Sequence, residues 1–416
     1  MKLGILSQWF DPEPGPAAIP GVFAKEFVRL GHEVSVLTGY PNYPQGELYA
    51  GYRQRIRERS AEDGVTLNRV PLYPNHSSSS IGRIANYASF AASAATLGAG
   101  ALKDVEAMWV YNSPVTVSLP LMTHSRRGRI PYFLHVQDLW PDSLIESGMF
   151  PQGRIGKVAA AVVRRIVKST EDHAAAVGVI SPSVRKLILE RNPDLDPAKI
   201  IYVPNPTDEH LFRPVASIRG NGPDARKSDV FTVMYVGAIG EVQGLDTVIE
   251  VATRLLSHSE IRFSFVGDGI SRARLEELAR NRRLTNVEFL GRISKERVPE
   301  ELATGDVQLV SLAESAFLRY TTPSKIASLL ASEVPIIGQI AGDGATMLRD
   351  SGAALVVAPG DADALTDAVL AMAKMSPQER QSMAVRGRNY YNSNLSAQVA
   401  ASRVVTALKG STRDQQ

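Results

Sequence analysis

The stretch from Phe317 to Pro335 holds the residues whose types and spacing most directly suggest chemistry. Pro323 and Ser324 precede a predicted helix, and Ser324 is expected to cap the free backbone N–H groups of its first turn. Lys325 lies in that turn, at the positive end of the helix dipole, which is unfavourable unless an anion lies beside it. With Arg319 a few residues earlier, the pattern predicts a phosphate site, although a solvated helix start explains this stretch equally well.

The composition indicates a globular protein of more than one domain. A chain of 416 residues with 44% hydrophobic and 21% charged residues favours two domains, or three, over one. The absence of cysteine excludes a disulfide framework, a thiolate nucleophile and a Cys-ligated metal. The seven histidines lack metal-ligand spacing, so no metal is expected, and a net charge of +3 is too small to indicate nucleic acid as a partner.

The N-terminal residues predict the opening of a Rossmann-like half. The apolar run Leu3–Leu6 is followed by the Gly- and Pro-rich loop Asp11–Pro16, by a helix through Phe23 and Phe27, and by the strand Val34–Leu37. The loop lacks G-x-G-x-x-G, so no dinucleotide fingerprint is present. The first ten residues lack the apolar core of a signal peptide and predict the first strand instead.

Two aspartates follow a further predicted strand, Tyr132–Val136. Residues just past the carboxyl ends of parallel strands face the ligand crevice of an open α/β sheet. Asp138 and Asp142 are therefore candidate site residues.

Three other stretches of this half leave alternatives open. The aromatic loop Tyr40–Tyr52 is either an acceptor-binding loop or a packed surface loop. The Ala-rich helix Ile81–Leu102 is either a buried core helix or a helix lying on a membrane. The helix from Gly153 to His173 places basic residues on one side, which suits either a solvated face or a contact with lipid phosphates.

The second half repeats the alternation of strands and helices from Phe231 onward. Strands are predicted at Ile261–Val266, Val287–Leu290, Val307–Val310 and Pro335–Ile340, with a helix or turn between each pair. This pattern predicts a second parallel sheet. The expected fold is therefore α/β, with two facing Rossmann-like domains and a deep interdomain cleft.

A stretch without periodicity, Val215–Ser228, lies near the expected boundary between the domains. We expect an N-terminal domain over residues 1–210 and a second domain over residues 211–390. A helix is predicted at Pro377–Arg388, an irregular segment at Asn389–Asn394, and a last helix at Ser396–Leu408. Residues 391–416 are expected to cross back to the N-terminal domain.

Several segments, taken in order along both halves, carry a resemblance to a known family. The chain resembles glycosyltransferase family 4, which has the GT-B architecture, and within it the branch that acts on bacterial surface polysaccharides and related glycoconjugates. The matching segments are Ser7–Ala18, Leu37–Tyr52, Val136–Leu144, Val203–Asp208, Tyr235–Glu250, Phe265–Gly269, Phe289–Glu300 and Thr322–Ile326. Each is weak by itself, and together they are hard to produce by chance.

The resemblance implies that the second domain holds a nucleotide-sugar donor and that the first holds the acceptor. Negative charge grows on the leaving diphosphate, so cations aimed at it stabilise the transition state. The family's usual Arg and Lys are replaced here by Ala238 and Gln243. The resemblance therefore gives Arg319 and Lys325 the role of neutralising the diphosphate, helped by the backbone N–H groups of Gly240 and Gly244.

Other family positions map onto the chain with departures. Two family glutamates correspond to Tyr320 and Ser328, and a family histidine corresponds to Gln137, which is expected near the sugar hydroxyls together with Asp138. The resemblance assigns the remaining donor contacts to Gly15, Asn205, Gln243, Thr322 and Ser324, and the nucleoside base to Gly267, Gly269, Arg292 and Ile293. For the two last-named glycines a tight turn is an equally good explanation.

The resemblance thus predicts a retaining glycosyltransferase that takes a sugar, such as an N-acetylhexosamine or related amino sugar, from a UDP-sugar donor. We also expect its activity to be independent of a metal. The expected acceptor is a saccharide or a lipid-linked sugar at the cytoplasmic face of the cell membrane, where peripheral membrane contact is one alternative. A small natural product is the alternative acceptor. The alternative functions are a sugar-nucleotide epimerase and a non-catalytic protein that binds a nucleotide-sugar.

Overall fold

The computed structural model describes residues 1–76, 80–128, 130–141, 153–219, 230–315 and 318–413, so the predicted site residue Asp142 lies outside the described part. The chain divides into two compact units. The first comprises Met1–Pro206 and Ala397–Gln416, and the second comprises Thr207–Ser396. These divisions lie a few residues from the boundaries at 210 and 390 that the sequence suggested.

The first unit is a sheet with helices on both faces, and its strands run in the order β3-β4-β2-β1-β5-β6-β7-β8. Its strands are β1 (Lys2–Leu6), β2 (Glu33–Gly39), β3 (Glu58–Glu62), β4 (Val65–Val70), β5 (Ala107–Asn112), β6 (Tyr132–Val136), β7 (Ala176–Val179) and β8 (Ile200–Tyr202). Its helices before the second unit are α1 (Ile19–Arg29), α2 (Ser80–Thr96), α3 (Ser118–Gly128), α4 (Arg154–Asp172) and α5 (Pro182–Arg191). The pairing is parallel from β4 to β8, as a Rossmann-like half requires.

The hairpin of β3 and β4 was not predicted from the sequence. It is antiparallel, with Glu62 paired to Val65 across a two-residue turn. Both turn residues, Asp63 and Gly64, have positive φ, which is the backbone that an Asp-Gly hairpin turn favours. The Asp-Gly pair was the available signal, and it places an exposed, charged strand at the edge of the sheet.

Two apolar layers sandwich the sheet of the first unit because successive side chains of a strand point to opposite faces. Leu3 and Ile5 of β1 join the layer that contains Phe23 and Phe27 of α1. Leu6 joins the opposite layer, which contains residues of α2, α3 and α5. The carboxyl ends of the strands are therefore held rigidly, and the loops that follow them carry the candidate site residues.

The second unit is a parallel sheet in the order β11-β10-β9-β12-β13-β14. Its strands are β9 (Phe231–Val236), β10 (Ile261–Val266), β11 (Val287–Gly291), β12 (Val307–Ser311), β13 (Ile336–Gln339) and β14 (Ala354–Val357). Its helices are α6 (Ala216–Arg219), α7 (Asp246–Arg254), α8 (Arg272–Asn281), α9 (Val298–Leu302), α10 (Ser324–Ala331), α11 (Gly342–Ser351), α12 (Ala362–Lys374) and α13 (Pro377–Asn394). The predicted second parallel sheet is thus present.

The prediction of an irregular segment at Asn389–Asn394 is wrong, because α13 continues through it to Asn394. The polar composition suggested a loop, but Tyr391 is fully buried within this turn of helix and packs in the same core as Leu330 and Leu395. Tertiary burial of one aromatic side chain outweighs the modest helix propensity of its asparagine and serine neighbours.

The last helix, α14 (Ala397–Arg413), belongs to the first unit. Its buried residues Ala400, Val404 and Leu408 lie in the same apolar cluster as Trp109 and Phe133 of the sheet. The chain therefore completes the core of its first unit with its final helix.

Candidate active site

The loops at the carboxyl ends of β9, β10 and β11 join side by side through backbone hydrogen bonds. Gly237 N–H donates to Val266 O at 2.9 Å, and Gly267 N–H donates to Gly291 O at 2.8 Å. Together with neighbouring residues, these loops enclose a cavity of about 280 Å³. It is lined by Val236, Gly237, Ala238, Val266, Gly267, Asp268, Arg292, Ile293 and Val298.

Three of the four residues that the resemblance assigned to a nucleoside base line this cavity, namely Gly267, Arg292 and Ile293. A Cβ atom on Gly267, whose φ is +143°, would lie 1.8 Å from the carbonyl oxygen of Gly237. A Cβ atom on Gly269 would lie 2.3 Å from the carbonyl oxygen of Ile239. Both glycines are therefore required by the close approach of two loops, and Gly267 also forms part of the cavity wall.

Lys325 contacts Val236, one of the residues that line this cavity. Its Nζ donates to Val236 O at 3.0 Å and lies 3.9 Å from the ring centroid of Tyr235. A Cβ atom on Gly237 would be only 2.8 Å from Nζ, so this glycine makes room for the ammonium group. Burial lowers the pKa of Lys325 to about 7, because removing the charge from water disfavours the protonated form.

The predicted cap of the helix that carries Lys325 is wrong. The residue before α10 is Pro323, Ser324 is its exposed first residue, and no side chain caps the first turn. Ser324 already has a position inside the helix, where its hydroxyl cannot reach the N–H groups two and three residues ahead as an N-cap does. Thr322 Oγ1 is buried and has no hydrogen-bond partner among the described residues.

Arg319 has a different environment from Lys325. Its side chain is 58% exposed, and Nη2 donates to Glu314 Oε1 at 2.7 Å. The hydrogen bond to this carboxylate raises the pKa of Arg319. The structure thus pairs Arg319 with an acid at the surface, whereas Lys325 contacts a carbonyl group and an aromatic ring.

In the loop after β9, the N–H groups of Gly240 and Gly244 form hydrogen bonds within the loop itself. Gly240 N–H donates to Gln243 Oε1 at 3.0 Å, and Gly244 N–H donates to Glu241 O at 3.0 Å. Both groups, predicted to face phosphate, are therefore already paired inside the loop. Gln243 O accepts a hydrogen bond from Ser311 Oγ at 2.5 Å, which ties the loop to β12.

Ser328, at the position of an expected glutamate, forms a hydroxyl pair. Its Oγ lies 2.8 Å from Thr207 Oγ1. Nearby, Thr207 N–H donates to Tyr391 Oη at 3.3 Å, and Tyr391 Oη donates to Glu209 Oε1 at 3.0 Å. Glu209 was not predicted from the sequence, and its only signal was its place shortly after Asn205.

In the first unit, three predicted residues lie past the ends of β6 and β8, the two strands on either side of β7. Asn205 Nδ2 donates to Gln137 Oε1 at 2.6 Å, and Ser113 Oγ donates to Asp138 Oδ2 at 2.7 Å. Gln137 Nε2 and Asn205 Oδ1 are buried and have no hydrogen-bond partner among the described residues. Burial raises the pKa of Asp138. This edge therefore offers one amide donor and one amide acceptor beside a carboxyl group.

Gly15 begins the short 3-10 turn ahead of α1. It is exposed with φ +66°, and a Cβ atom there would meet nothing within 4 Å. Tyr111 Oη donates to Pro16 O at 2.9 Å and so fixes this loop to β5. The positive φ favours glycine, and the space in front of it is open.

Glu13 was not predicted as a functional residue, yet it joins the first loop to the aromatic loop Tyr40–Tyr52. Its Oε1 accepts N–H groups of Asn42 and Tyr43, each at 2.8 Å, and its Oε2 accepts that of Phe10 at 3.2 Å. Burial raises the pKa of Glu13 to about 7 despite these hydrogen bonds. A glutamate within a Gly- and Pro-rich loop was the only available signal.

Among the described residues, no group of three or more His, Asp or Glu side chains is arranged to hold a metal ion. The sequence contains two Asp-x-Asp triplets, at residues 194–196 and 361–363, and the structure uses both locally. Asp196 and Asp361 accept N–H groups at the starts of helical turns, at 2.9 Å each. Asp194 pairs with Lys168 at 3.2 Å.

This fold and these loops define a GT-B glycosyltransferase, as comparison with known proteins shows. Residues 15–206 match the family described as glycosyl transferase 4-like domain, and residues 230–375 match the family described as glycosyl transferases group 1. The chain belongs to glycosyltransferase family 4. The family and fold predicted from the sequence are therefore confirmed.

Individual relatives agree with this assignment. The chain is 30% identical to the putative colanic acid biosynthesis glycosyl transferase WcaI of Escherichia coli, over 80% of this chain and 81% of that protein. It is 26% identical to the probable glycosyltransferase WbjE of Pseudomonas aeruginosa, over half of each chain (50%). Its fold is similar to that of Anabaena Alr3699/HepE, with a TM-score of 0.64, 14% identity, and coverage of 98% of this chain and 99% of that one.

Proposed function

We propose that this protein is a retaining glycosyltransferase that takes its sugar from a UDP-sugar. The observation that carries the proposal is the ammonium group of Lys325 on Val236, a residue of the cavity that Gly267, Arg292 and Ile293 also line. The cavity volume of about 280 Å³ is close to the lower end of the range of about 300–1,000 Å³ that ligand pockets have, and we propose that the diphosphate lies between this cavity and Lys325. UDP is favoured because the similar fold of Anabaena Alr3699/HepE has been crystallised with UDP and glucose.

Lys325 is proposed to provide the main electrostatic stabilisation. A diphosphate beside Nζ raises the proton affinity of the amine, so donor binding and protonation of Lys325 favour each other. The charge then grows on the leaving oxygen as the glycosidic bond to the sugar breaks, which is when a fixed cation contributes most. Arg319 would have to exchange Glu314 for the diphosphate to assist, and its exposed ion pair makes that exchange inexpensive.

The transferred sugar is proposed to be an N-acetylhexosamine or a related amino sugar. A 125-residue region of the chain is 33% identical to a protein of Arabidopsis thaliana that is described as part of phosphatidylinositol N-acetylglucosaminyltransferase, which supports this sugar class. The acceptor is proposed to be a saccharide or a lipid-linked sugar in surface polysaccharide synthesis, supported by the description of the relative WcaI. In the first unit, Gln137 and Asp138 are proposed to hydrogen-bond sugar hydroxyls.

A second function, binding of a nucleotide-sugar without transfer, is favoured by one observation. Ser328 and Thr207 form a neutral hydroxyl pair at a position where the family commonly has a carboxylate. A neutral pair gives a weaker hydrogen bond to a ribose hydroxyl than a carboxylate does. Binding can therefore persist while turnover is lost.

One experiment separates these functions. The protein is incubated with a panel of nucleotide-sugars, the melting temperature identifies the donor that binds, and release of nucleoside diphosphate is followed with and without saccharide and lipid-linked acceptors. Acceptor-dependent release of UDP that persists in EDTA supports the proposal. Binding without release favours the non-catalytic function, conversion of the donor sugar indicates an epimerase, and loss of turnover in EDTA with rescue by a divalent cation contradicts metal independence.

A further inference from the structure

Three neighbouring helices of the first unit carry exposed aliphatic side chains. They are Ile81 and Ile84 on α2, Leu119 on α3, and Val158 and Val162 on α4. Each of these five side chains is at least 53% exposed. Single exposed aliphatic residues are common on soluble proteins, but five on three neighbouring helices require an explanation.

The three helices lie next to one another, because α3 contacts both α2 and α4. Phe90 and Ala94 of α2 and Leu121 of α3 are buried in the core of the first unit. On α2 the exposed positions Ile84 and Ala88 repeat at helical spacing on the opposite side. The aliphatic residues therefore form an outward layer that the sheet does not cover.

These helices carry only basic charges over most of their length, and the acids Glu171 and Asp172 lie in the last turn of α4. The segments Ser80–Thr96, Ser118–Gly128 and Arg154–Lys168 contain no Asp or Glu, although acids and bases are nearly balanced in the whole chain, at 43 and 46. Their basic residues are Arg83, Arg126, Arg127, Arg154, Lys157, Arg164, Arg165 and Lys168. On α4, Val158 and Val162 are exposed on the same side as Arg154 and Arg165.

This combination matches the interface of a lipid bilayer. Aliphatic side chains enter the boundary between headgroups and acyl chains, while Arg and Lys remain at the level of the phosphates. A merely solvated face has no need of exposed Ile, Leu and Val, and an ordinary solvated helix intersperses acids with its bases. No helix in the described part of the chain is long and apolar enough to span a membrane.

We propose that α2, α3 and α4 form a docking face that binds the first unit to a bilayer containing anionic lipid. The three helices lie along the membrane surface, and the five aliphatic side chains enter it. Each cation near an anionic surface strengthens binding by roughly fivefold at low salt, and this contribution decreases as salt screens it. Docking needs neither donor nor acceptor, so its failure is distinguishable from failure of the proposed transfer activity.

The test is co-sedimentation of the full chain with vesicles of phosphatidylcholine alone and of phosphatidylcholine mixed with phosphatidylglycerol. We expect binding to the mixed vesicles that weakens as salt is raised. The double variant Val158→Glu with Val162→Glu, and separately Arg164→Glu with Arg165→Glu, should each weaken this binding at least tenfold. Melting temperature and the secondary-structure signal by circular dichroism establish that the variants are folded.

Matched controls come from the second unit. Val385→Glu replaces an exposed valine of α13, and Arg280→Glu with Lys374→Glu reverses two exposed cations of α8 and α12. These controls should bind vesicles as the parent protein does. The proposal is overturned if the protein binds neither vesicle, if the docking-face variants bind as well as the controls, or if Val158→Glu only converts a dimer to a monomer, which would assign the face to a second copy.

Discussion

At the scale of single residues, the proposed function needs Lys325 as a cation, whereas burying that cation lowers the stability of the folded protein. Burial lowers the pKa of Lys325 to about 7, so the ammonium form is disfavoured in the folded protein. The folded protein therefore holds fewer protons at this residue than the unfolded chain does between about pH 7 and pH 10. Stability from this residue rises with pH across that window and is lowest below pH 7.

We expect Lys325→Met to lower turnover of the UDP-sugar by about 100-fold or more, since it removes the cation facing the leaving group. The same change should not lower the melting temperature at pH 6.5, because it also removes a buried charge. From pH 6.5 to 9.5 the parent protein should gain stability relative to the variant, by at most about 1.4 kcal/mol per pH unit. Thermal melts at both pH values measure this, and parallel profiles would contradict the assignment.

The loss of turnover in Ser328→Ala is the comparison for the loss in Lys325→Met. It removes one hydroxyl of a neutral pair and leaves Thr207 with water as its alternative partner. We expect a loss of turnover of no more than about tenfold, in keeping with one ordinary hydrogen bond. Equal and small effects of the two substitutions, measured as kcat at saturating donor, would remove Lys325 from its proposed role.

Glu13 gives a second prediction at this scale, with the opposite charge. Burial raises the pKa of its carboxyl group to about 7, so the folded protein holds more protons than the unfolded chain between pH 4.5 and 7. Stability from this residue therefore falls as pH rises through that window and is constant above it. In urea unfolding at pH 5 and pH 8, Glu13→Gln should lack this pH dependence, whereas an unchanged pH profile would contradict it.

Glu13→Ala tests the structural role of the same side chain. It leaves the N–H groups of Phe10, Asn42 and Tyr43 without their acceptor, and we expect a loss of about 3 kcal/mol in the free energy of unfolding. Because two of these groups belong to the aromatic loop Tyr40–Tyr52, acceptor KM should rise while donor KM is unchanged. Steady-state kinetics at fixed donor and at fixed acceptor distinguish the two effects.

Chemical type was predictable from the sequence for these residues, but their partners were not. Lys325 was predicted because a cation at a helix N-terminus is unusual, whereas its contact with the ring of Tyr235 joins residues that lie far apart in the chain. Arg319 was predicted as a phosphate-binding residue because it lies a few residues before Lys325. Its pairing with Glu314 depends on a side-chain conformation that spacing in the sequence does not determine. Glu13 carried only the signal of a glutamate in a Gly- and Pro-rich loop, because its three partners are backbone groups.

At the scale of elements, the turns after β9 and β10 depend on glycine. The sequence Gly267-Asp268-Gly269 predicted a tight turn, and the structure adds that a second loop passes within contact distance of it. The helices were less predictable at their ends. The sequence predicted α13 only as far as Arg388, and its extension to Asn394 depends on burial of Tyr391 against α10, which is tertiary information.

Gly267→Ala should disrupt the cavity, because the new Cβ would overlap the carbonyl group of Gly237 at 1.8 Å and the backbone must move. We expect a loss of more than about 3 kcal/mol in stability and loss of detectable UDP binding by calorimetry. Gly15→Ala is the matched control, since its φ is also positive but a Cβ there meets nothing within 4 Å. It should cost only about 1 kcal/mol, and equal costs at both sites would refute the close-approach argument.

At the scale of the whole molecule, the alternation of strands and helices predicted two Rossmann-like sheets because each half repeats the same local pattern. The destination of the last helix cannot be obtained from local patterns, because α14 is amphipathic and suits either core. Residues 391–416 were nevertheless expected to return to the first domain. The structure places Ala400, Ala401, Val404, Val405 and Leu408 in the first unit's core.

Fragments of the chain test this division directly. Burial of five apolar side chains of α14 contributes on the order of 5 kcal/mol, which is comparable to the whole stability of a typical domain. We therefore expect fragment 1–206 to aggregate or unfold, and expect it to fold when residues 397–413 are attached through a flexible linker. Fragment 207–396 should fold alone and, if the proposed function holds, bind UDP. In the intact chain, Leu408→Asp should lower the melting transition of the first unit and leave that of the second unchanged. A stable fragment 1–206, or an unchanged first transition in Leu408→Asp, would show that α14 is dispensable to the first core.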